Sequence, residues 1–276
     1  MNSFNQILNL LKERIGLDFS AYRSEMIERR LNKRIYNTRK KNNDEYLEYL
    51  KNNPDEIDKL IDAFTINVSR FFRNSLTFEY INKIVIPELY YSIKKNNGSS
   101  LRIWSAGCSF GEEPYSMAIL LNEFQIKEHK KLNLNIFATD IDMEALNKAK
   151  AGSYDIESIR RVKFSILLKY FTKGKENYII DDEIKKMVQF SYFDLLDKKK
   201  AVPSDSIFGN FDIVLCRNVL IYLDPEYQQI VFKRLYNSLN KNGYLILGEA
   251  EIPAIGFKHK LRRENKFTKI YRKIND

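Results

Sequence analysis

The sequence predicts an α/β protein with a doubly wound, mostly parallel sheet, a small antiparallel β-subdomain and an all-α N-terminal domain. Two observations carry this prediction. Residues 1–75 contain one glycine, one proline and apolar residues at helical spacing. From Leu101 onward, short β-branched runs alternate with helical patterns, which is typical of parallel sheets with right-handed crossovers.

The N-terminal domain, residues 1–75, is expected to consist of helices. The apolar faces of the first two helices are predicted to be formed by Ile7, Leu8, Leu11, Ile15, Met26, Ile27, Leu31 and Ile35. Asp44 is predicted to cap a third helix, and a fourth follows Pro54. Residues 76–100 are predicted to form a linker helix that ends in the polar loop Lys94–Ser100.

The remaining residues, 101–276, are predicted to form the sheet domain. The strand patterns lie at 101–105, 135–139, 187–192, 211–216 and 243–248. The helical patterns between them cover 113–124, 142–150 and 225–240. Residues 170–192, which contain the turn signal Lys173–Asn177, are assigned to the antiparallel β-subdomain. Polar strands within Lys258–Lys273 are expected to close an edge of the main sheet.

Composition excludes several classes of protein. With 44% hydrophobic and 13% aromatic residues, the chain of 276 residues can bury a core, which argues against global disorder. The apolar run Asn218–Leu223 is too short to span a bilayer, and the N-terminus lacks the pattern of a secretory signal. We therefore expect a cytoplasmic protein with reduced thiols and no membrane insertion. Two cysteines and two histidines argue against a disulfide framework or a metal site.

The formal net charge is +10. Such a charge favours an anionic partner, but it does not choose between nucleic acid, a membrane surface and an acidic protein.

A glycine-containing loop follows the first predicted strand and opens a helix. Gly107 and Gly111 permit a tight turn and a close approach of the backbone to a ligand. Glu112 and Glu113 at this turn would repel a pyrophosphate but favour a cationic ligand. The alternative is an ordinary turn whose acidic residues complement the helix dipole.

Asp140 ends the second predicted strand. In a doubly wound sheet, an acidic residue there can accept hydrogen bonds from both hydroxyls of a ribose. Asp140 lies 33 residues after Gly107 (140 − 107), compared with about 20 in a dinucleotide fingerprint, which disfavours a nicotinamide enzyme. The alternative is that Asp140 caps the next helix, a role that Asp142 can equally fill.

Two polar residues follow the predicted strand at 211–216. Arg217 and Asn218 lie just beyond the strand end, where ligands bind in open α/β sheets. Tyr222 follows the apolar residues 219–221, and it is either a functional residue or a core aromatic with its hydroxyl at the surface.

Three segments together resemble the chemotaxis receptor methyltransferases of the CheR family. They are Gly-Glu-Glu-Pro-Tyr-Ser, Ala-Thr-Asp-Ile-Asp and Cys-Arg-Asn-Val-Leu-Ile-Tyr, in this order and behind a basic helical domain. Upstream, Thr65–Arg73 is similar to the family's domain-junction motif. The resemblance covers nearly the whole chain. It implies a seven-stranded methyltransferase sheet that uses S-adenosylmethionine (SAM), releases S-adenosylhomocysteine, and methylates glutamates in cytoplasmic helices of chemoreceptors (methyl-accepting chemotaxis proteins).

The resemblance also implies the site residues. The positions that match the family's cofactor contacts are Asn67, Ser69, Arg73, Ala106, Gly107, Glu112, Asp140, Asp194, Leu195, Arg217 and Asn218. Glu113 remains an alternative to Glu112. Arg73 and Tyr222 match the active-site pair that we expect to position the substrate carboxylate. Ser69 stands where the family usually has threonine, and Asp194 stands where it often has asparagine, so Asp194 lacks an amide donor.

The second helix carries a broad basic face formed by Arg29, Arg30, Lys33 and Arg34. The resemblance implies that this face docks onto an acidic receptor helix bundle. The alternative is a solvated face with intrahelical pairs from Glu25 and Glu28. Some members of the family have a glycine-rich insertion in the β-subdomain and bind a pentapeptide tether at receptor C-termini. The stretch Phe171–Tyr178 is short and contains a single glycine, so the resemblance implies that no such tether is bound. A monomer is expected.

Two other functions remain open. One is a nucleic-acid methyltransferase, which the charge of +10 suggests. Enzymes that methylate exocyclic base amines commonly have Asn-Pro-Pro-aromatic after the fourth strand. Residues 217–222 lack that pattern, so no nucleic-acid partner is expected. The other is a non-catalytic SAM-binding signalling module, which would not need Arg73 and Tyr222.

Overall fold

The computed structural model describes residues 2–65, 67–95, 100–129, 132–197, 202–203, 206 and 210–274. The chain forms two compact units. We call Met1–Asn67 together with Tyr222–Gln228 the helical unit, and Val68–Ile221 together with Gln229–Asp276 the sheet unit. The chain thus has the predicted fold class, in which an all-α region is followed by an α/β region.

The N-terminal part of the helical unit is built from α1 (Ser3–Ile15), α2 (Ser24–Asn37), α3 (Asn43–Asn52) and α4 (Asp55–Phe64). Most of the predicted apolar faces lie in the core of this unit, with Ile7 and Leu31 almost fully buried. Ile15, at the end of α1, is 37% exposed instead. Gly16 ends α1 in the left-handed conformation with φ 76°, which glycine adopts without steric cost. Local periodicity therefore located these helices correctly.

The cap of α3 differs from the prediction. Asn42 is the N-cap, and its Oδ1 accepts a hydrogen bond from the Glu45 backbone N–H at 2.9 Å. The predicted cap, Asp44, lies in the first turn instead. Asparagine and aspartate cap helices about equally well, so the sequence alone did not distinguish the two positions.

A buried carboxylate connects three helices of the helical unit. Glu56 on α4 is 3% exposed and forms a two-pronged ion pair with Arg34 on α2, at 2.7 and 2.8 Å. The Tyr46 hydroxyl on α3 donates to the same carboxylate at 2.8 Å. Burial and the Glu56 carboxylate raise the pKa of Tyr46, so the tyrosine stays protonated. Arg34 is thus also a structural residue of this unit.

The chain returns to the helical unit at Tyr222–Gln228. The Arg23 N–H donates to the Tyr222 carbonyl at 3.0 Å, and the Asp224 N–H donates to the Ala21 carbonyl at 3.0 Å. The helical unit therefore ends at Asn67 and includes a late segment, which corrects the predicted boundary at residue 75. Periodicity within a short window carries no information on backbone pairing between segments 200 residues apart.

The sheet unit contains a seven-stranded sheet in the order β6-β2-β1-β7-β8-β10-β9. Its strands are β1 (Ser100–Ala106), β2 (Asn133–Asp140), β6 (Val188–Tyr192), β7 (Phe211–Cys216), β8 (Leu239–Leu247), β9 (Leu261–Arg263) and β10 (Ile270–Lys273). The strands from β6 to β8 pair in parallel, whereas β10 runs antiparallel to β8 and β9. This arrangement confirms the predicted mostly parallel sheet with a polar closing edge.

Some helices of the sheet unit precede β1, and others connect the strands of the main sheet. Their bounds are Ser75–Tyr80 (α5), Ile86–Lys95 (α6), Glu112–Glu128 (α7), Met143–Ala151 (α8) and Pro225–Ser238 (α12), and a π-helical turn joins α5 to α6. Helix α12 begins in the segment that belongs to the helical unit. Central strand residues such as Ile103 and Val214 are fully buried, as expected for strands covered on both faces.

The small antiparallel sheet has the order β3-β5-β4, with β3 at Ser153–Tyr154, β4 at Phe171–Lys173 and β5 at Tyr178–Ile180. Short helices α9 (Ile156–Ile159), α10 (Phe164–Tyr170) and α11 (Asp182–Lys185) flank these strands. The small sheet thus begins before residue 170. Val188–Tyr192, at the end of the predicted range 170–192, is β6 of the main sheet and pairs with β2.

The predicted linker is partly described. Its helical part is α5, the π-helical turn and α6, whereas most of the polar loop predicted at 94–100, namely residues 96–99, lies outside the described residues. Among the residues that the structure describes, no helix is both long and apolar enough to cross a bilayer.

Candidate functional site

The loop after β1 brings two glycines into positions that other residues cannot fill easily. Gly107 has φ 77° and Gly111 has φ 88°. A Cβ atom at Gly107 would lie 2.4 Å from Val219 Cγ2, and one at Gly111 would lie 3.0 Å from Ala149 Cβ. The Gly107 N–H donates to the Thr139 carbonyl at 2.8 Å, which ties this loop to the end of β2. The predicted tight turn is therefore present.

Asp140 lies beside that loop at the carboxyl end of β2. Its Oδ2 accepts a hydrogen bond from the Ser109 N–H at 2.7 Å, and its Oδ1 accepts one from the Asp142 N–H at 3.0 Å. Burial raises the pKa of Asp140, and these backbone donors partly offset that effect. Asp142, rather than Asp140, caps α8 by accepting from the N–H groups of Glu144 and Ala145. The capping alternative for Asp140 is thereby removed.

The Glu113 carboxylate binds other side chains of the protein. Its Oε1 accepts from the Ser105 hydroxyl at 2.8 Å, and its Oε2 forms an ion pair with Arg217 at 3.1 Å. Burial raises the pKa of Glu113, whereas the facing guanidinium lowers it. Both carboxylate oxygens therefore have protein partners.

Glu112 has a different environment. It is 1% exposed, and its buried Oε2 has no hydrogen-bond partner among the described residues. Burial raises the pKa of Glu112 to about 7, although a hydrogen bond from the Ser69 hydroxyl lowers it. An unpartnered buried carboxylate oxygen is costly unless a ligand supplies a donor. The structure thus favours Glu112 over Glu113 as the ligand contact.

Arg217 holds the segment that precedes α5. Its Nη2 donates to the Arg73 carbonyl at 2.7 Å and to Asn74 Oδ1 at 2.8 Å, and its guanidinium lies over the Phe78 ring at 5.4 Å. Both terminal nitrogens are therefore engaged, since Nη1 contacts Glu113. Contact of Arg217 with a cofactor stays a prediction, and the structure adds a positioning role toward Arg73.

Asn218 directly follows and has φ 60°. Its side-chain Oδ1 is buried and lacks a partner among the described residues, as does the Ser109 hydroxyl. Together with Glu112 Oε2, these atoms form a set of buried polar atoms that have no hydrogen-bond partner among the described residues. Such a set suits a ligand that brings its own N–H or O–H groups.

The loop after β6 carries Asp194 and Leu195. The Phe193 N–H donates to the Asp140 carbonyl at 3.0 Å, so this loop starts beside Asp140. Arg234 on α12 donates to the Asp194 carbonyl at 3.1 Å and also to the carbonyls of Leu195 and Asp197. Burial lowers the pKa of Arg234. Sequence reasoning missed Arg234, because a lone arginine on an amphipathic helix carries no signal for a partner 40 residues away.

The other predicted residues divide between the two units. Ala106 is the last residue of β1 and is fully buried, and Ser69 contacts Glu112 in the sheet unit. Arg73 also belongs to the sheet unit, and its Nη1 donates to the Val68 carbonyl at 2.9 Å. Asn67 and Tyr222 belong to the helical unit. Joint action of Arg73 and Tyr222 stays a prediction.

The predicted basic face lines a groove in the helical unit, which we call the basic groove. Its volume is about 670 Å³, and its lining consists of Arg29, Arg30, Lys33, Arg34, Asn37, Lys59, Asp62 and Ala63. Arg29 and Lys33 are exposed. Arg30 donates to the Ala63 carbonyl at 2.5 Å, and Arg34 pairs with Glu56. The four residues thus split into two that face solvent and two that also stabilise the unit.

Known proteins match both parts of the chain. Residues 2–65 match the CheR methyltransferase, all-alpha domain, and residues 67–269 match the CheR methyltransferase, SAM binding domain. A chemotaxis protein methyltransferase of Borreliella burgdorferi is 32% identical over 266 residues, which cover 91% of this chain and 92% of that protein.

Two further relatives carry similar names. Chemotaxis protein methyltransferase 1 of Pseudomonas aeruginosa is 34% identical over 246 residues, covering 87% of this chain and 86% of that protein. A chemotaxis protein methyltransferase of Salmonella typhimurium is 32% identical over 254 residues, covering 90% and 83% of the two chains. The resemblance found in the sequence motifs is confirmed: the chain belongs to the CheR family of SAM-dependent methyltransferases, with that family's all-α domain followed by its SAM-binding domain.

Proposed function

We propose that the protein transfers a methyl group from SAM to glutamate side chains in cytoplasmic helices of chemoreceptors, where it forms methyl esters during chemotactic adaptation. The names of the relatives support the substrate class. The observation that carries the proposal is the buried Glu112 carboxylate, whose Oε2 has no donor among the described residues. SAM brings an ammonium group and a sulfonium, which are the charges that such a carboxylate stabilises.

The buried acceptors fit this cofactor. Glu112 would accept from the ammonium group of SAM, and Asp140 would accept from its ribose hydroxyls. Asn218 Oδ1 offers a further buried acceptor. Gly107 lets Val219 pack against the loop beside Asp140, because a Cβ atom at Gly107 would lie 2.4 Å from Val219 Cγ2.

Bound SAM supplies an electrophilic methyl group. The acceptor glutamate has an unperturbed pKa of about 4.3, so it is already ionised at neutral pH and needs no general base. The protein's own tasks are to orient one carboxylate oxygen toward that methyl group and to exclude water.

Arg73 and Tyr222 would position the acceptor carboxylate. Because opposite charges on the two reactants diminish in the transition state, this interaction has to orient the carboxylate without binding it too strongly. Arg73→Ala is expected to lower turnover at least 100-fold, whereas the exposed neighbour change Arg70→Ala is expected to leave turnover within twofold. Unchanged turnover and unchanged SAM affinity in Arg73→Ala would remove this assignment.

The basic groove would receive the receptor. Arg29 and Lys33 offer solvent-exposed positive charge toward an acidic helix bundle. The turn between β4 and β5 is closed by a hydrogen bond from the Gly174 N–H to the Asn177 carbonyl at 2.8 Å. This short turn supports an enzyme that does not use a receptor C-terminal tether. That the enzyme is a cytoplasmic monomer stays a prediction.

The direct test incubates the protein with methyl-labelled SAM and native receptor membranes. Label should appear on receptors and should leave as methanol in mild alkali, because carboxyl methyl esters hydrolyse there and N-methyl groups do not. Glu112→Gln should lose labelling, and the exposed matched change Glu176→Gln should retain it. Transfer of label to RNA but not to receptors would favour the nucleic-acid alternative. SAM binding without any ester would favour a non-catalytic module.

A further inference from the structure

A second carboxylate, which the sequence motifs did not mark, organises the loop after β7. Glu251 lies in the turn after β8, where its N–H donates to the Gly248 carbonyl at 3.0 Å, and it is 4% exposed. Its Oε1 accepts from the N–H groups of Val219 at 2.9 Å, Leu220 at 2.8 Å and Ile221 at 3.4 Å. Its Oε2 accepts from the N–H groups of Asn218 at 3.0 Å and Gly248 at 2.6 Å.

Consecutive backbone N–H groups that point at one oxygen form an anion-binding nest. In most nests the anion is a ligand, but here a side chain of the same unit fills it. Hydrogen bonds to an ionised acceptor are roughly twice as strong as those between neutral groups, and two oxygens offer about four acceptor positions. The Glu251 carboxylate thus fixes the backbone of residues 218–221.

The fixed segment adjoins the candidate cofactor site on two sides. Val219 Cγ2 would lie 2.4 Å from a Cβ atom at Gly107, so the segment packs directly on the glycine loop. Asn218 is held at φ 60° with its Oδ1 buried and unpartnered among the described residues. A Cβ atom at Gly248 would lie 2.7 Å from Glu251 Oε2 and 2.8 Å from the Asn218 nitrogen, so only glycine permits this arrangement.

We propose that Glu251 is a positioning residue for methyl transfer: its carboxylate, bound to five backbone N–H groups, fixes the backbone of residues 218–221 and so holds Asn218 in place at the cofactor. This inference rests on the proposed function. It assigns Glu251 no contact with SAM or with the receptor. Its influence on the reaction passes through the backbone of residues 218–221.

The test compares Glu251→Gln with Glu249→Gln, which makes the same charge change at an exposed residue of the same turn. An amide offers one acceptor oxygen, and its NH₂ group would face the remaining backbone donors. Glu251→Gln is therefore expected to weaken SAM binding at least tenfold in calorimetry and to lower turnover at saturating SAM. Glu249→Gln should stay within twofold of wild type. Glu251→Asp keeps the carboxylate and should give intermediate values.

A double-mutant cycle separates positioning from a general effect on stability. Asn218→Gly removes the side-chain amide while tolerating the positive φ. If Glu251 acts through Asn218, adding Glu251→Gln to Asn218→Gly should change SAM affinity less than threefold. Additive losses would contradict the proposal. So would an unchanged affinity and turnover in a folded Glu251→Gln variant, or a failure of both Glu251 variants to fold while Glu249→Gln folds.

The same assays give different results if the proposed function is wrong and if only the role of Glu251 is wrong. Wild-type protein that binds no SAM or forms no receptor ester would overturn the proposed function. Wild-type protein that does both, with folded Glu251 variants that do both equally well, would overturn only the role of Glu251.

Discussion

Glu112 and Glu113 are neighbours in the chain, but their carboxylates have different surroundings. Glu113 meets Arg217 and Ser105, whereas the buried Glu112 Oε2 has no partner among the described residues. Helical geometry separates adjacent side chains by about 100°, so one carboxylate can face the protein interior and the other a ligand. The same motif therefore supplies a structural ion pair and a candidate cofactor contact.

The pKa of about 7 at Glu112 predicts a pH dependence of SAM binding. The ionised form binds the cation, and a drop from pH 8 to pH 6 lowers the ionised fraction about tenfold for a pKa near 7. Calorimetry between these pH values should therefore show SAM affinity falling by up to about tenfold as pH decreases. Bound cofactor should also cause proton release near pH 7.

Glu112→Gln should flatten this pH profile and lower affinity throughout it. Glu176→Gln, an exposed change of the same type, should keep the wild-type profile. A wild-type affinity that is constant from pH 6 to pH 8 would show that Glu112 does not bind the cofactor's cationic group.

Gly107 and Gly16 allow the cost of a backbone conformation to be separated from the cost of a clash. Both have positive φ, at 77° and 76°. A Cβ atom at Gly16 would meet no heavy atom within 4 Å, whereas one at Gly107 would meet Val219 at 2.4 Å. Gly16→Ala should lower the free energy of unfolding by about 1 kcal/mol through the left-handed conformation alone. Gly107→Ala should cost about 1–3 kcal/mol more because of overpacking.

Thermal and urea unfolding measure the two costs, and calorimetry measures SAM binding. Gly107→Ala should also weaken SAM binding, since the clash displaces the segment that carries Asn218. Gly16→Ala should not change it. Equal unfolding costs for the two variants would argue against the tight packing of Val219 on the glycine loop.

At the scale of elements, the ends of β1, β6 and β7 each lead into a loop that is held by a residue from elsewhere in the chain. Asp140 holds the loop after β1, Glu251 holds the segment after β7, and Arg234 holds the loop after β6. Parallel strands bring their carboxyl ends to one edge of a sheet, so these loops adjoin one another. A precise site on flexible loops requires such supporting contacts.

Arg234 gives a test at this scale. A guanidinium can reach three carbonyl groups at once, whereas a shorter or less branched side chain cannot. Arg234→Ala removes these bonds and the contact of the guanidinium with the Phe193 ring at 5.5 Å. We expect a five- to tenfold loss of SAM affinity, because the loop with Asp194 and Leu195 loosens.

Lys233→Ala is the matched control, since Lys233 is exposed on the same helix and should keep wild-type affinity. Arg234→Lys should resemble Arg234→Ala more than wild type, because an ammonium is a compact donor. Wild-type SAM affinity in a folded Arg234→Ala variant would show that the loop does not need this arginine.

At the scale of the whole molecule, the cations behind the formal charge of +10 differ in how accessible they are to a partner. Some cations are tied to internal partners, as Arg34 is to Glu56 and Arg217 to Glu113. Arg29 and Lys33 are exposed in the basic groove instead. Net charge therefore indicated an anionic partner, and the structure of the helical unit indicates where positive charge is accessible.

Reversing these two charges should weaken receptor methylation. Arg29→Glu with Lys33→Glu changes the net charge by four, from +10 to +6, because each substitution replaces +1 by −1. We expect at least a tenfold loss of methylation rate at low salt, while SAM affinity stays within twofold. The loss should shrink as salt is added, since screening weakens steering between exposed charges.

The control is Arg14→Glu with Lys51→Glu, which makes the same charge change at exposed residues of α1 and α3 outside the groove lining. It should retain most of the methylation rate. Equal losses in the two double variants would indicate a net-charge effect rather than docking at the basic groove.

Much of the fold followed from local patterns. The helical faces around Ile7 and Leu31, the alternation of strands and helices, and the tight turn at Gly107 were all predicted, because each depends on a short stretch of sequence. The cap of α3 was assigned to Asp44 rather than Asn42, since both residue types suit that position. The predicted range of the small sheet, 170–192, wrongly included β6, which pairs with β2 of the main sheet. Strand periodicity does not reveal which sheet a strand joins.

The sequence by itself determined the family, the types of element and the segments that form the candidate site, since glycines, acidic strand ends and helical periodicity act locally. Only the tertiary structure distinguished Glu112 from Glu113, assigned Tyr222 to the helical unit, and revealed Glu251 and Arg234. The physical reason is that these properties depend on burial and on hydrogen bonds between residues more than 30 positions apart. Such contacts leave no periodic trace in the chain.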